Sequence, residues 1–178
     1  MRITGGFLRG RQVKVPGGTI RPAMDRMREA VFAITGDLTG LSFLDLFSGS
    51  GIIALEAASR GAAYLEAVEM DPLKRKTLLD NVSISPVQIH CRFMPAELYI
   101  KRAKKAFDLI FCDPPFTYKY KWDLILSISE SALMKEGSRL LLHRPRKDFC
   151  DTVPEKLVLE DSREFGCSVV NFFIFSHS

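Results

Sequence analysis

The residues best suited to chemistry are Asp113-Pro114-Pro115-Phe116, directly after the apolar run Phe107–Cys112. Two consecutive prolines hold the backbone extended and remove two N–H donors. The Asp113 carboxylate and the Pro114 carbonyl then become two acceptors directed at one spot. A group with two hydrogens on one nitrogen suits such a pair, and the exocyclic amine of adenine, guanine or cytosine is one. Accepting both hydrogens localises the nitrogen lone pair and aims it at an electrophile such as a methyl sulfonium. Phe116 offers an aromatic face on which a base can stack. A base inside a helix would first have to be flipped out. Alone, the tetrapeptide is equally compatible with an ordinary loop after a buried strand.

A second set lies upstream. Leu44-Asp45-Leu46-Phe47-Ser48-Gly49-Ser50-Gly51 ends an apolar run, and glycines at 49 and 51 let the chain turn sharply against a ligand. Glu69, in Val68-Glu69-Met70-Asp71, falls about 20 residues later, the interval expected of a ribose-binding carboxylate. Asp71 competes for that role but more naturally caps the helix that Pro72 opens. The full G-x-G-x-x-G pattern of dinucleotide enzymes fails at Ala54, a position where alanine is tolerated, so Asp113–Phe116 decides against a dinucleotide.

These motifs need a scaffold of alternating strands and helices. Strands are expected over Ser42–Phe47, Tyr64–Met70, Val87–Phe93, Phe107–Cys112 and Ser138–His143. Helices are expected over Gly51–Arg60, Pro72–Ser83, Pro95–Lys105 and Trp122–Met134. Strands that are nearly continuous apolar runs call for a parallel sheet with helices on both faces. Two further strands around Gly166, between Leu157 and Phe175, should close the edge antiparallel. Ahead of this unit (41–178) lies an N-terminal extension (1–40) packed on it as effectively one domain. It comprises a hairpin over Arg2–Val15 and a helix with a Met27, Ala30, Val31, Ile34 stripe that Asp25 could cap.

Composition narrows the class. The chain has 178 residues, 47% of them apolar, enough for one full core. No apolar run approaches the ~20 residues of a membrane span, and Met1–Gly6 lacks a signal peptide's apolar stretch. Cys91, Cys112, Cys150 and Cys167 form no CxxC pair, and His90, His143 and His177 show no ligand spacing. A zinc site, other metal or disulfide framework is not expected, and a reducing cytoplasm fits. Net charge is +4, with arginines concentrated before residue 40. Arg9, Arg11 and Arg21, interleaved with glycines, are candidate phosphate contacts. Lys74-Arg75-Lys76 and Lys101 to Lys105 read equally well as solvated helix faces.

The set LDLFSGSG, VEMD and DPPF resembles the amino-methyltransferases of nucleic-acid bases. Arg2–Arg11 (RITGGFLRGR) and Arg21–Phe32 (RPAMDRMREAVF) narrow the likeness to the RsmD family of bacterial 16S rRNA (guanine-N2)-methyltransferases. That resemblance implies a Rossmann-like, class I fold with S-adenosylmethionine as donor. It implies a guanine of 16S rRNA as acceptor (G966 in the family), inside a partly assembled 30S subunit and reached by a monomer. It implies cofactor contacts from Asp45, Phe47, Gly49, Gly51, Glu69, Met70 and Ala96, and catalysis by Asp113, Pro114, Pro115 and Phe116. The family's RPTTDR reads RPAMDR here, so a hydroxyl contact to the cofactor's methionine end is lost. Met94-Pro95 replaces a polar residue that often meets the adenine amine, leaving the Ala96 N–H, and Phe165-Gly166 stands for Tyr-Gly. An adenine-N6 or cytosine-N4 methyltransferase, and a non-catalytic RNA-binding assembly factor, are the alternatives. A chain this short has no separate DNA target-recognition domain.

Overall fold

The computed structural model describes residues 1–15, 22–148 and 152–177, with Pro22 and Ala23 described by their backbone alone. Seven strands form one sheet: β1 (Ser42–Leu46), β2 (Tyr64–Val68), β3 (Ile89–Arg92), β4 (Leu109–Cys112), β5 (Arg139–Pro145), β6 (Leu157–Phe165) and β7 (Ser168–Phe175). Their spatial order is β3-β2-β1-β4-β5-β7-β6. The first five run parallel, and β7 lies antiparallel between β5 and β6, as the short turn at Gly166 demands. The helices are α1 (Pro22–Thr35), α2 (Ile52–Ser59), α3 (Arg75–Val82), α4 (Ala96–Arg102) and α5 (Lys121–Glu130).

Strand periodicity divides the core in two. Phe43, Leu65, Leu109, Phe111, Leu141 and Phe172 pack with α1, α2 and residues of the N-terminal segment. Leu44, Leu46, Val68, Ile110, Leu140, Leu142 and Phe173 pack on the other face with α4 and α5. Both faces are therefore covered, which is why the central strands read as nearly continuous apolar runs. The edge strand β6 is mostly exposed and carries Glu160, Asp161, Arg163 and Glu164, which discourage pairing with another sheet edge.

Several boundaries differ from the sequence reading for local reasons. Pro72–Lys74 is a 3-10 turn, and the α-helix starts only at Arg75. α5 ends at Glu130, four residues before the expected end, where Ser131 leaves the helical region. The N-terminal hairpin reduces to one antiparallel bridge, Arg2 to Gln12, because turns occupy Gly5–Gly10. α1 begins at Pro22, so Asp25 lies inside its first turn and bonds Arg28 Nη2 at 2.9 Å instead of capping the helix.

That Arg28 anchors the N-terminal segment. Its side chain is buried, with Nε 3.2 Å from Glu56 Oε1 and Nη2 donating to the Arg2 carbonyl at 2.8 Å. Glu56, fully buried on α2, also meets Arg60 at 3.4 Å and accepts the Thr4 N–H at 2.6 Å. Further along, the Phe7 N–H donates to the Ser59 carbonyl at 2.9 Å. Only glycine permits this approach: a Cβ on Gly6, where φ is +74°, would lie 1.8 Å from the same oxygen.

Candidate active site at the switch point of the sheet

From β1 the sheet grows through β2 to β3, then resumes with β4 on the other side of β1. This reversal opens a crevice at the carboxyl ends of β1 and β4, where ligands bind in open α/β sheets. Register places Leu46 opposite Cys112, so Phe47 and Asp113 leave the sheet side by side. The Asp113 N–H donates to the Leu46 carbonyl at 3.3 Å and ties the two exits together. The two motifs separated by more than sixty residues in sequence therefore face one cleft.

Phe47 has φ +64°, a left-handed conformation rare for an aromatic residue and common at functional turns. The loop then closes with the Gly51 N–H on the Ser48 carbonyl at 2.9 Å. Gly51 (φ +83°) packs so tightly that a Cβ would come within 2.7 Å of Leu78. Gly49 (φ +58°) differs: its Cβ position is open space. One glycine is needed for packing, and the other leaves room beside the backbone for a ligand.

Glu69 follows β2 and is buried. Its Oε2 accepts the Gly49 N–H and its Oε1 the Asp71 N–H, both at 2.8 Å. The carboxylate is thus fixed in orientation, and each oxygen retains a lone pair for a ligand hydroxyl. Asp71 accepts the Leu73 N–H at 2.9 Å and caps the turn opened by Pro72.

The cleft here, about 900 Å³, is lined by Met24, Phe47, Glu69, Met70, Asp71, Lys74, Glu97, Asp113–Phe116, Tyr118 and His143 among others. A smaller recess of about 170 Å³ adjoins it through Met24, Phe47 and Asp113 and reaches Asp45, Arg28 and the glycine loop. Asp45 accepts from Ser48 Oγ at 2.7 Å and from the Ala54 N–H at 3.3 Å. Burial raises its carboxyl to about 7; those two bonds oppose the rise, and the charges of Asp113 and Glu69 add to it.

Asp113 Oδ1 lies 2.8 Å from Nδ1 of His143. A carboxylate only accepts, so Nδ1 carries the hydrogen. The other ring nitrogen, Nε2, is buried without a partner among the described residues, a condition that costs about 1–3 kcal/mol. Phe116 sets its ring edge-on to His143, with centroids 5.3 Å apart, and is itself exposed. The loop is held from below by the buried ammonium of Lys121, which donates to the carbonyls of Phe116 (3.0 Å) and Tyr118 and pairs with Asp148 at 2.8 Å. Tyr118 Oη donates to Glu97 Oε1 at 2.5 Å and packs edge-on against Phe47 at 5.8 Å.

Phe47, Glu69, Met70 and Asp113–Phe116 line the cleft, Asp45 and Gly49 line the adjoining recess, and Gly51 packs against Leu78 instead of facing either. Ala96 is buried at the start of α4, and its neighbour Glu97 meets the cleft instead. Met24 lines both cavities where the family's threonine would stand. Arg9 and Arg11 are exposed but lie away from the cleft. The Gly5–Gly10 turn docks on Ser59 at the carboxyl end of α2, while the cleft opens at that helix's amino end. Eight residues at 1.5 Å each separate them by about 12 Å. Arg21 lies outside the described residues. His143, Lys121, Glu97 and Tyr118 carried no sequence signal, because a polar residue at the end of an apolar strand or helix has no distinctive spacing. Among the described residues no cluster of His, Cys, Asp and Glu could hold a metal, and no helix is long and apolar enough to cross a membrane.

A glycine loop, a buried carboxylate and a DPPF loop meet at one crevice of a Rossmann-like sheet, the architecture of S-adenosylmethionine-dependent methyltransferases. The family model described as "Conserved hypothetical protein 95" matches residues 1–174. The chain belongs to that family, the RsmD family. Ribosomal RNA small subunit methyltransferase D of Escherichia coli K12 is 28% identical over 93% of this chain and 85% of that protein. The tRNA1(Val) (adenine(37)-N6)-methyltransferase of Cytophaga hutchinsonii is 34% identical over 48% of this chain and 38% of its own length. Among solved structures, YhhF of Escherichia coli superposes with a TM-score of 0.88 at 26% identity, covering 100% of this chain and 99% of that one.

Proposed function

We propose that this protein transfers a methyl group from S-adenosylmethionine to the exocyclic N2 amine of a guanine in 16S rRNA, the family's G966, within the assembling 30S subunit and as a cytoplasmic monomer. The observation that carries the reading is the side-by-side exit of Phe47 and Asp113 from paired strands. It supports the reading because the loop proposed to take the amine and the loop proposed to take the nucleoside leave neighbouring strands. The coarser statement, an S-adenosylmethionine-dependent methyltransferase related to rRNA methyltransferases, rests on the family.

The residues present fit the donor. Glu69 meets the ribose hydroxyls with its free lone pairs, the open side of Gly49 admits the backbone approach, and Phe47 and Met70 cover apolar surface. The recess beside Asp45 suits the methionine end, with Met1, Met24, Met27 and Arg28 of the N-terminal segment as its cover. When bound, the cofactor supplies an electrophilic methyl on a cationic sulfur. Asp113 and the Pro114 carbonyl accept the two amine hydrogens and hold the nitrogen lone pair toward that methyl, an advantage of orientation. Phe116 presents its face to the base, worth about 1–3 kcal/mol. Asp113 is partly exposed, which leaves a route for the displaced proton to water.

Support for RNA comes from the rim. Phe116 also borders two outer hollows, one with Arg146, Lys147 and Cys167, the other with Lys119, Trp122 and Lys147. Exposed cations beside exposed aromatics (Tyr120, Phe116) suit an unpaired strand leading to the target base. Arg9 and Arg11 would then meet phosphates of a more distant helix.

A second reading, adenine-N6 methylation of RNA, is favoured by the relative that modifies tRNA. Both bases present an amine that the same two acceptors take. Incubation with labelled S-adenosylmethionine and 30S particles, naked rRNA, tRNA or DNA, followed by nucleoside mass spectrometry, separates them. N2-methylguanosine from 30S particles is the expected product. N6-methyladenosine would favour the second reading, and RNA binding without any label would leave an assembly factor.

A further inference from the structure

We infer that His143 is a positioning residue for Asp113: its Nδ1–H holds one carboxylate oxygen so that the other faces the target amine. The inference rests on the proposed methyl transfer and adds to it a residue outside the tetrapeptide. His143 lies in β5, opposite Val170, so the sheet fixes its backbone independently of the loop that carries Asp113. Its ring is almost wholly buried, whereas a quarter of the Asp113 side chain is open to the cleft. The 2.8 Å bond therefore links a rigid partner to the group that must be aimed.

A core histidine without such a role would have both nitrogens satisfied or be replaced by an apolar residue. Here Nε2 has no partner among the described residues and no access to water. Phe116 packs edge-on against the ring, with centroids 5.3 Å apart. What the fold retains from the imidazole is the single Nδ1–H donated to Asp113. No other side chain bonds Asp113 among the described residues, so without His143 the carboxylate could rotate about its own axis. Misplacing a reacting group by an ångström costs on the order of 10²-fold.

Asparagine and leucine separate positioning from packing. The amide nitrogen of asparagine falls near the place of Nδ1 and can donate, and leucine fills the apolar site without donating. His143→Leu should lower kcat for methyl transfer about 10- to 100-fold, with the dissociation constant for S-adenosylmethionine and the melting temperature near those of the wild type. His143→Asn should recover most of that loss. Equal losses in both variants that track a lower melting temperature would make the role structural, and wild-type kcat in His143→Leu would end the inference outright. A spectroscopic arm does not depend on turnover: ¹⁵N-histidine spectra should show His143 as the Nδ1–H tautomer, with its signal identified by its absence in His143→Asn. Substituting Asp113→Ala should shift that signal. The Nε2–H tautomer would overturn the inference even in an active enzyme. A wild type that methylates no nucleic acid but keeps the Nδ1–H signal would instead overturn the proposed function.

Discussion

Two groups of buried carboxylates lie on the same side of the sheet and are treated in opposite ways. Glu56 on α2 is wholly buried and meets two guanidiniums, Arg28 and Arg60. Asp45 and Glu69, a turn or a strand away, are equally hidden but have no ion pair among the described residues; their bonds come from a hydroxyl and backbone N–H groups. Burial of an ionised group is costly unless it is paired. At Glu56 the pairing is complete, and its product is architecture: Arg28 fastens Met1–Thr4 to the core. Around the cleft Asp45 and Glu69 have no such partner among the described residues, although Lys74 lines the cleft and Arg28 the adjoining recess. Under the proposed function, the contrast separates the carboxylate that holds the fold from those placed to meet a ligand.

The largest effect should come from the cleft side. Asp113→Ala removes an acceptor needed as the amine is aligned, and kcat should fall on the order of 10³-fold, while calorimetry finds S-adenosylmethionine affinity within a few-fold of the wild type. The melting temperature should fall by a few degrees, because the buried His143 Nδ1–H loses its partner, at about 1–3 kcal/mol. Wild-type-like turnover would sink the mechanism.

The reverse pattern is expected at Glu56. Glu56→Ala leaves Arg28 buried without its main-face partner and frees the Thr4 N–H. Breaking a buried pair in this way costs about 3–5 kcal/mol, or roughly 10 °C in melting temperature for a domain of this size. At a temperature where the variant is folded, kcat should stay within a few-fold of normal. A large loss of kcat without loss of stability would erase the distinction between the two groups.

Asp45 offers a test by pH. Its carboxyl, raised by burial to about 7 from the ordinary aspartate range, binds a proton more tightly in the folded chain than in the unfolded one. Its contribution therefore favours folding most at low pH and declines as pH rises from about 4 to 7, by at most about 1.4 kcal/mol per unit. Carboxylates such as Asp108, held low by bonds to Lys135 and Ser42 against an opposing burial, act in the other direction. The difference between the wild type and Asp45→Asn isolates the one group. Melting temperatures measured between pH 4 and 8 should show the variant gaining on the wild type as pH rises, and levelling off near pH 7. A constant difference would mean that Asp45 titrates normally and is no buried, unpaired charge.

The extent to which this was readable in the sequence follows from how each feature is encoded. The sheet was legible because a parallel strand covered on both faces must be a continuous apolar run, as in Phe107–Cys112. The loops at Gly49 and Asp113 were legible because glycine and proline restrict the backbone wherever they occur. Asp71 could be assigned as a cap from Pro72 beside it. His143 and Lys121 could not be found, since their roles depend on pairing across the sheet and on a loop folding back, neither of which has a fixed spacing. Asp25 misled for a related reason: an acid before a helical stripe signals a cap, but the helix extends one turn further and Arg28 claims the carboxylate.

The smallest expected effect concerns the cations. Arg28 and Arg60 are committed to Glu56, whereas Lys119 and Lys147 are exposed at the rim of the cleft, next to Phe116. Arg146 shares that rim but pairs with Glu164, an exposed pair of the sort that stabilises little and yields to a polyanion. If the rim cations meet phosphates, each releases about one counterion on binding. Lys119→Ala with Lys147→Ala should therefore reduce the slope of log affinity for rRNA against log salt by about 2, with kcat at saturating RNA unchanged. Arg9→Ala with Arg11→Ala should do less on a short fragment carrying the target base, because those residues sit about a helix length from the cleft. Their effect should emerge only on the larger particle. Equal effects of the two pairs on the short fragment would move the RNA path to the N-terminal turn and deprive the rim of its role.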